Sequence, residues 1–201
     1  MGALGPPFIG LSGAIASGKS EALAALARLG AETLSTDEVA HGLLAEPGAV
    51  ERLVERWGPQ VAPDGEVDRR AIGEIVFNQP DELRWLESIT HPLVGQRVAE
   101  WRAALDPGTP LAVVEIPLLF EAGMESFFDA TMVVVAGDER RAEWAAARGT
   151  GEIEGRAGRQ LSESEKAARA TFVVANEGTV VDLEEALRSL WPQLLEAGRG
   201  K

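Results

Sequence analysis

Apolar runs and amphipathic stretches alternate along this chain. Phe8 to Ser12 is a short apolar run ahead of a glycine-rich turn, which predicts a buried strand. From Lys19 to Leu29, leucines at 23, 26 and 29 recur among alanines, a helical spacing that Gly30 is placed to stop. Ala31 to Ser35 predicts a second strand, followed by a helix from about Asp37 to Leu44. Pro47 to Pro63 is mixed. Helices are expected over Ala71–Phe77 and Asp81–Ile89, with His91-Pro92 interrupting before another helix through Trp101. Asp106 to Pro110 reads as a loop. Leu111–Ile116 and Thr131–Ala136 are β-rich apolar runs suited to strands buried on two faces. Between Asp138 and Arg169 lies a charged helical region broken by glycines. Thr171–Ala175 predicts a last strand and Asp182–Leu195 a closing amphipathic helix.

Strands alternating with helices imply an α/β fold, a parallel sheet with helices on both faces. The helical stretch 47–105 interrupts that rhythm and reads as a substrate-binding insertion. A length of 201 residues accommodates one such domain. Acids outnumber bases 32 to 19, a net charge of -13, which disfavours nucleic acid as a partner. There is no cysteine, which removes disulfides, zinc–thiolate sites and thiol catalysis, and two histidines cannot build a histidine-rich metal site. The first residues lack a signal peptide's basic flank and apolar run, and no segment approaches the roughly 18 apolar residues that span a bilayer. A soluble, cytoplasmic protein is expected.

Of the 19 basic residues only Lys19, Lys166 and Lys201 are lysine, and Lys19 has a telling position. Gly13-Ala14-Ile15-Ala16-Ser17-Gly18-Lys19-Ser20 matches the phosphate-loop pattern G-x-x-x-x-G-K-[ST], with a predicted strand before it and a helix after it. Successive backbone N–H groups there wrap phosphates, and the positive end of the helix adds to the attraction. Lys19 is placed to reach the β- and γ-phosphates, and the Ser20 hydroxyl to bind Mg²⁺. Ala14 and Ala16 are less permissive than glycine where positive φ is needed. Glu21 sets a carboxylate beside the site and weakens nucleotide binding unless it points away.

Other residues admit two readings from spacing alone. Asp37 follows the second strand at the edge where open α/β sheets bind ligands, and suits proton acceptance or Mg²⁺ binding; it equally suits a helix N-cap. Glu115 ends an apolar strand, either near the metal or as a buried acid satisfied locally. Glu121 is ambiguous in the same way. Arg140, Arg141, Arg148, Arg156 and Arg159 suit a lid closing over phosphates, or a solvated helix face among glutamates. Trp57, Trp85, Trp101, Trp144 and Trp191 read as core or helix-packing residues.

Taken together, these residues resemble the dephospho-CoA kinase family over about Phe8 to Leu190. Ser35-Thr36-Asp37 stands where that family carries Asp-x-Asp. Asp68-Arg69-Arg70, Phe77 and Ile89-Thr90-His91-Pro92 follow in the family's order, and Glu115-Ile116-Pro117-Leu118-Leu119-Phe120-Glu121 matches its Pro-Leu-Leu-Phe-Glu signature. Arg148, Arg156 and Gln160 fit its lid, and Lys166 to Gly178 its final strand and turn. Ser35, Trp144 and Ala175 depart from the common pattern.

The resemblance implies a P-loop kinase three-layer sandwich with a parallel five-stranded sheet, a helical substrate-binding insertion and a helical lid. Within one domain, 1–46, 106–137 and 170–201 would form the core, 47–105 the CoA-binding insertion and 138–169 the lid. The implied reaction transfers the ATP γ-phosphoryl to the ribose 3′-hydroxyl of dephospho-CoA, with Mg²⁺. Lys19, Asp37 and Arg148 would be catalytic. The loop from Gly13 to Glu21, Arg148 and Asn176 would hold ATP, with Asn176 near the adenine. Asp37, His91, Glu121 and Arg156 would serve the acceptor, and Ser20 and Asp37 the metal. A monomer or weak homo-oligomer is expected, with no membrane partner. A P-loop kinase for another small acceptor and a non-catalytic nucleotide-binding relative are the alternatives.

Overall fold

A computed structural model describes residues 5–147 and 160–198. Its strands are β1 (Phe8–Gly13), β2 (Glu32–Ser35), β3 (Ala112–Glu115), β4 (Ala130–Val135) and β5 (Phe172–Ala175). The described helices are α1 (Lys19–Arg28), α2 (Thr36–Leu44), α3 (Pro47–Trp57), α4 (Arg69–Asn78), α5 (Pro80–Ala103), α6 (Asp138–Ala147), α7 (Glu163–Arg169) and α8 (Val180–Glu196). The chain divides into two compact units, Met1–Ser35 with Ala104–Lys201, and Thr36–Ala103.

In the first unit the strands form one parallel sheet in the order β2-β3-β1-β4-β5, the expected α/β arrangement. Every residue of β1 and β3 is buried, as a parallel sheet covered on both faces requires. Ile9, Leu11, Val113, Met132 and Val134 share a core with Ala22 and Leu26 of α1. Leu183, Leu187 and Leu194 bring α8 onto the same core, a stripe at helical spacing. A side chain at Gly10 would strike the Leu119 and Phe128 side chains, so glycine there lets them close over the middle of β1. Strand order places β1 at the centre. From β1 the chain goes to the edge as β2, returns as β3 between the two, then crosses to the other side for β4 and β5. That reversal puts the crevice for a ligand at the carboxyl end of β1, where Gly13 opens the glycine-rich turn.

The second unit holds α2 to α5 around Leu53, Val61 and Ile72. Trp57 and Trp85 meet edge to face at 5.1 Å. Glu82 accepts from Trp57 Nε1 at 2.7 Å and from the Arg56 guanidinium at 2.9 and 2.8 Å. The Arg56 hydrogen bonds and then the Trp57 one hold its carboxyl below the usual glutamate range. Pro47–Trp57, unassigned from the pattern, is helical: proline suits a first turn, and Val50, Leu53, Val54 and Trp57 fall on one stripe.

The expected break at His91-Pro92 does not occur; α5 runs through Pro92 for 24 residues. Proline's fixed φ is itself helical, and its missing N–H removes one bond from the ladder. Packing of α5 against both α2 and α4 outweighs that loss. The N-cap reading of Asp37 also fails, because α2 begins at Thr36 and Asp37 lies inside its first turn.

A capping box starts α8. Thr179 Oγ1 accepts from Asp182 N–H at 3.3 Å, while Asp182 Oδ2 accepts from Thr179 N–H at 2.6 Å and its hydroxyl at 2.8 Å. The backbone donor first, then the hydroxyl, lower the Asp182 pKa below its ordinary 3.8. A depressed carboxylate stabilises the fold above the ordinary value and loses that contribution as pH falls through the lowered one. Thr179→Ala is therefore expected to lower stability by ~1 kcal/mol at neutral pH in urea unfolding. The margin of the natural chain over Asp182→Asn should be full above pH 3.8 and fade below it; a margin independent of pH contradicts the capping role.

Candidate functional site

The turn between β1 and α1 has the backbone of an anion nest. Ser17 N–H bonds Ala14 O at 3.2 Å, and Ala22 N–H bonds Gly18 O at 2.9 Å as α1 begins. Ala16 stands at φ 60 and Gly18 at φ 94. Alanine in that region is strained, so the loop holds Ala16 against its preference, a strain of the kind found at ligand clamps. Lys19 Nζ donates to Gly13 O at 3.2 Å and Ala14 O at 2.8 Å, which folds its ammonium back over the loop. Ser17 is fully buried, and its Oγ has no hydrogen-bond partner in the structure. An orphaned hydroxyl inside a ring of amides and a lysine fits an anionic ligand with phosphate oxygens. Ser20 is exposed in the first turn of α1. Glu21 points away from the loop: its carboxylate pairs with Arg28 at 2.9 Å, and Arg28 also bonds Glu184.

Asn176 follows β5 and is buried against this loop. Its Nδ2 donates to Ser17 O at 3.0 Å, and its N–H to Val135 O at 2.8 Å. A side chain on Gly18 would overlap that amide nitrogen, so both φ and space demand glycine. A cavity of about 710 Å³ opens over Ala14–Ala16, walled by Arg141, Gln160, Ser162 and Glu163. Arg141 pairs with Asp138 and lies 3.7 Å from Glu163 Oε1. Burial raises the Glu163 pKa, opposed by Arg141 and the Ala136 N–H.

Glu115, buried at the end of β3, accepts from Ser35 Oγ at 2.8 Å on the neighbouring strand. Glu121 lies in an ion pair that the sequence reading missed. Lys166, fully buried on α7, reaches Glu121 Oε1 at 3.0 Å and Pro117 O at 3.2 Å. Glu121 Oε1 also accepts from Leu161 N–H at 2.8 Å. The pair thus fastens the segment entering α7 onto Pro117–Glu121. The one available signal was a lysine, rare in this chain, on a helix whose other face is charged.

Asp37 and His91 belong to the second unit, exposed on α2 and α5. Arg148 and Arg156 lie outside the described residues. Trp144, read from sequence as a core or helix-packing residue, is half-buried, and a Cβ placed on Gly18 would lie 3.9 Å from its Cζ3. Among the described residues no three acidic, histidine or cysteine side chains cluster as a metal site, and no helix is long and apolar enough to cross a membrane.

Lys166→Ala would leave the Glu121 charge buried without its cation, so roughly 3 kcal/mol of unfolding free energy should be lost. Lys166→Met combined with Glu121→Gln keeps an acceptor for Leu161 and buries no charge, and should recover most of it. A double variant as unstable as the single one contradicts the assignment.

A family model described as dephospho-CoA kinase matches residues 7–182. The dephospho-CoA kinase of Anaeromyxobacter dehalogenans is 41% identical over 203 residues, covering 96% of this chain and 94% of that protein. That of Thermus thermophilus is 37% identical over 198 residues, covering 97% and 95%. The crystal structure of TT1252 from Thermus thermophilus superposes with a TM-score of 0.79 at 36% identity, covering 95% of this chain and 99% of that one. A phosphate nest at the switch point of a five-stranded parallel sheet, with likeness over nearly the whole length, means that this chain belongs to the dephospho-CoA kinase family.

Proposed function

We propose that this chain transfers the γ-phosphoryl group of ATP to the ribose 3′-hydroxyl of dephospho-CoA, giving CoA and ADP. The observation that carries the reading is the nest of Gly13–Ser20 with Lys19 folded over it, in a chain of this family. The loop amides and the N-terminus of α1 bind the phosphates, and Lys19 exchanges the Gly13 and Ala14 carbonyls for phosphate oxygens. Ser20 and Asp37 would hold Mg²⁺, which takes hard oxygen ligands of the kind these side chains offer. When bound, the metal supplies charge neutralisation across the β- and γ-phosphates.

Asp37 orients the acceptor hydroxyl for in-line attack and takes its proton. His91 orders the acceptor. Glu121 acts as a positioning residue through Lys166 and Leu161. Arg148 and Arg156 clamp the phosphates, and Asn176 lies by the adenine. Catalysis is then mainly positioning and electrostatic stabilisation. Turnover depends on the acceptor, since a site that closes without it would hydrolyse ATP. The protein acts in the cytoplasm as a monomer or weak homo-oligomer, and its charge of -13 keeps nucleic acid and anionic membranes at a distance.

A coupled ADP-release assay, run with and without dephospho-CoA and with CoA identified by mass, tests this. ADP and CoA should appear together and only with the acceptor. Asp37→Asn should lower kcat about a hundredfold or more while ATP still binds. Lys19→Ala should impair both binding and turnover. Near-normal kcat in Asp37→Asn would remove that residue from the mechanism, and turnover of a different acceptor would reassign the substrate.

A further inference from the structure

We infer that Lys166 is a positioning residue for the donor phosphates: its buried ammonium ties together two walls of the cavity over the phosphate loop. The inference rests on the donor-phosphate part of the reading above and is independent of the acceptor.

Ala14–Ala16 of the loop form one wall of that cavity, and Gln160, Leu161 and Ser162 form part of another. The loop wall starts from the end of β1, where Ser12 is fully buried and donates its hydroxyl to Pro117 O at 3.1 Å. Lys166 Nζ donates to the same carbonyl at 3.2 Å. Proline has no N–H, so this carbonyl is the one backbone polar group of Pro117, and two buried side chains converge on it. The other wall is tied to the same ammonium. Lys166 Nζ lies 3.0 Å from Glu121 Oε1, and that oxygen accepts the Leu161 N–H at 2.8 Å. One cation therefore stands between Ser12 and Leu161, joined to each through a single oxygen atom. Ser12 leads directly into Gly13, where the nest opens and where Lys19 Nζ finds its first carbonyl.

Stability does not account for this arrangement. Lys166 has no exposed surface, and removing an ammonium from water is costly. Its partner is incompletely satisfied: Glu121 Oε2 is buried and has no hydrogen-bond partner among the described residues. An apolar pair of similar volume would avoid both costs. Such a pair could not hold one particular carbonyl and one particular N–H at fixed distances and angles, which hydrogen bonds do. A nest binds phosphate only while its N–H groups converge, so the placement of its first residue matters to affinity. Asn176 holds the loop further on, at Ser17, and Lys166 holds it where it begins.

Calorimetric titration of inorganic tripolyphosphate into the natural chain, into Lys166→Met combined with Glu121→Gln, and into Ser12→Ala tests the inference. The combined variant buries no charge and is expected above to keep most of the stability, so a purely structural pair would leave its affinity unchanged. Tripolyphosphate should instead bind it about tenfold more weakly. Ser12→Ala removes the other donor at the Pro117 carbonyl without touching a charge, and should weaken binding about threefold. In the coupled assay the KM for ATP should rise in both variants while that for dephospho-CoA stays. Natural tripolyphosphate affinity in the folded combined variant overturns the assignment. If that variant does not fold, natural affinity in Ser12→Ala overturns it. A natural chain that binds no tripolyphosphate removes the donor site and this inference together. One that binds it but makes no CoA removes only the acceptor, and Lys166 is then judged by the binding ratios.

Discussion

The buried amide of Asn176 links two distant parts of the chain, and the phosphate site depends on it. Its donor end closes on the Ser17 carbonyl, 159 residues away in sequence, in space that any side chain at position 18 would need. The loop after β1 is thereby fastened to the end of β5, two strands across the sheet. A nest of amides attracts anions only while its N–H groups converge, and Ala16 already stands in a strained conformation. The hydrogen bond from Asn176 is one of the contacts that holds that geometry against the chain's local preference.

A second polar clamp works at the other side of the same edge. Lys166 and Glu121 bury opposite charges between α7 and the segment after β3. Such pairs add little net stability over apolar replacements, because desolvation offsets attraction. Their directionality does something the leucine and valine core cannot. An apolar core tolerates small slides, whereas an ion pair with a backbone N–H on the same oxygen admits one register. Ser35 with Glu115 does the same between β2 and β3.

The sheet was legible because its strands are short β-branched runs between turn residues, and the phosphate loop because its chemistry fixes both residue types and spacing. The helix through Pro92 was not legible, since proline is a local signal and the packing that overrides it is tertiary. Asp37 looked like a cap because Ser-Thr-Asp composition cannot tell the residue before a helix from the second one inside it. Lys166 and Trp144 stand in stretches whose pattern names no partner. Their partners at 121 and 18 lie far away in sequence, and no periodicity encodes such a meeting.

The lysine folded over its own loop changes how an anion arrives. Two loop carbonyls accept hydrogen bonds from the Lys19 ammonium. On the function proposed above, capture of a polyphosphate is a ligand exchange around this cation, carbonyl oxygens leaving as phosphate oxygens enter. The cation is spared the full removal of a hydration shell, which is the step that makes burying an ammonium expensive. The internal ligand of this ammonium is the loop's own backbone.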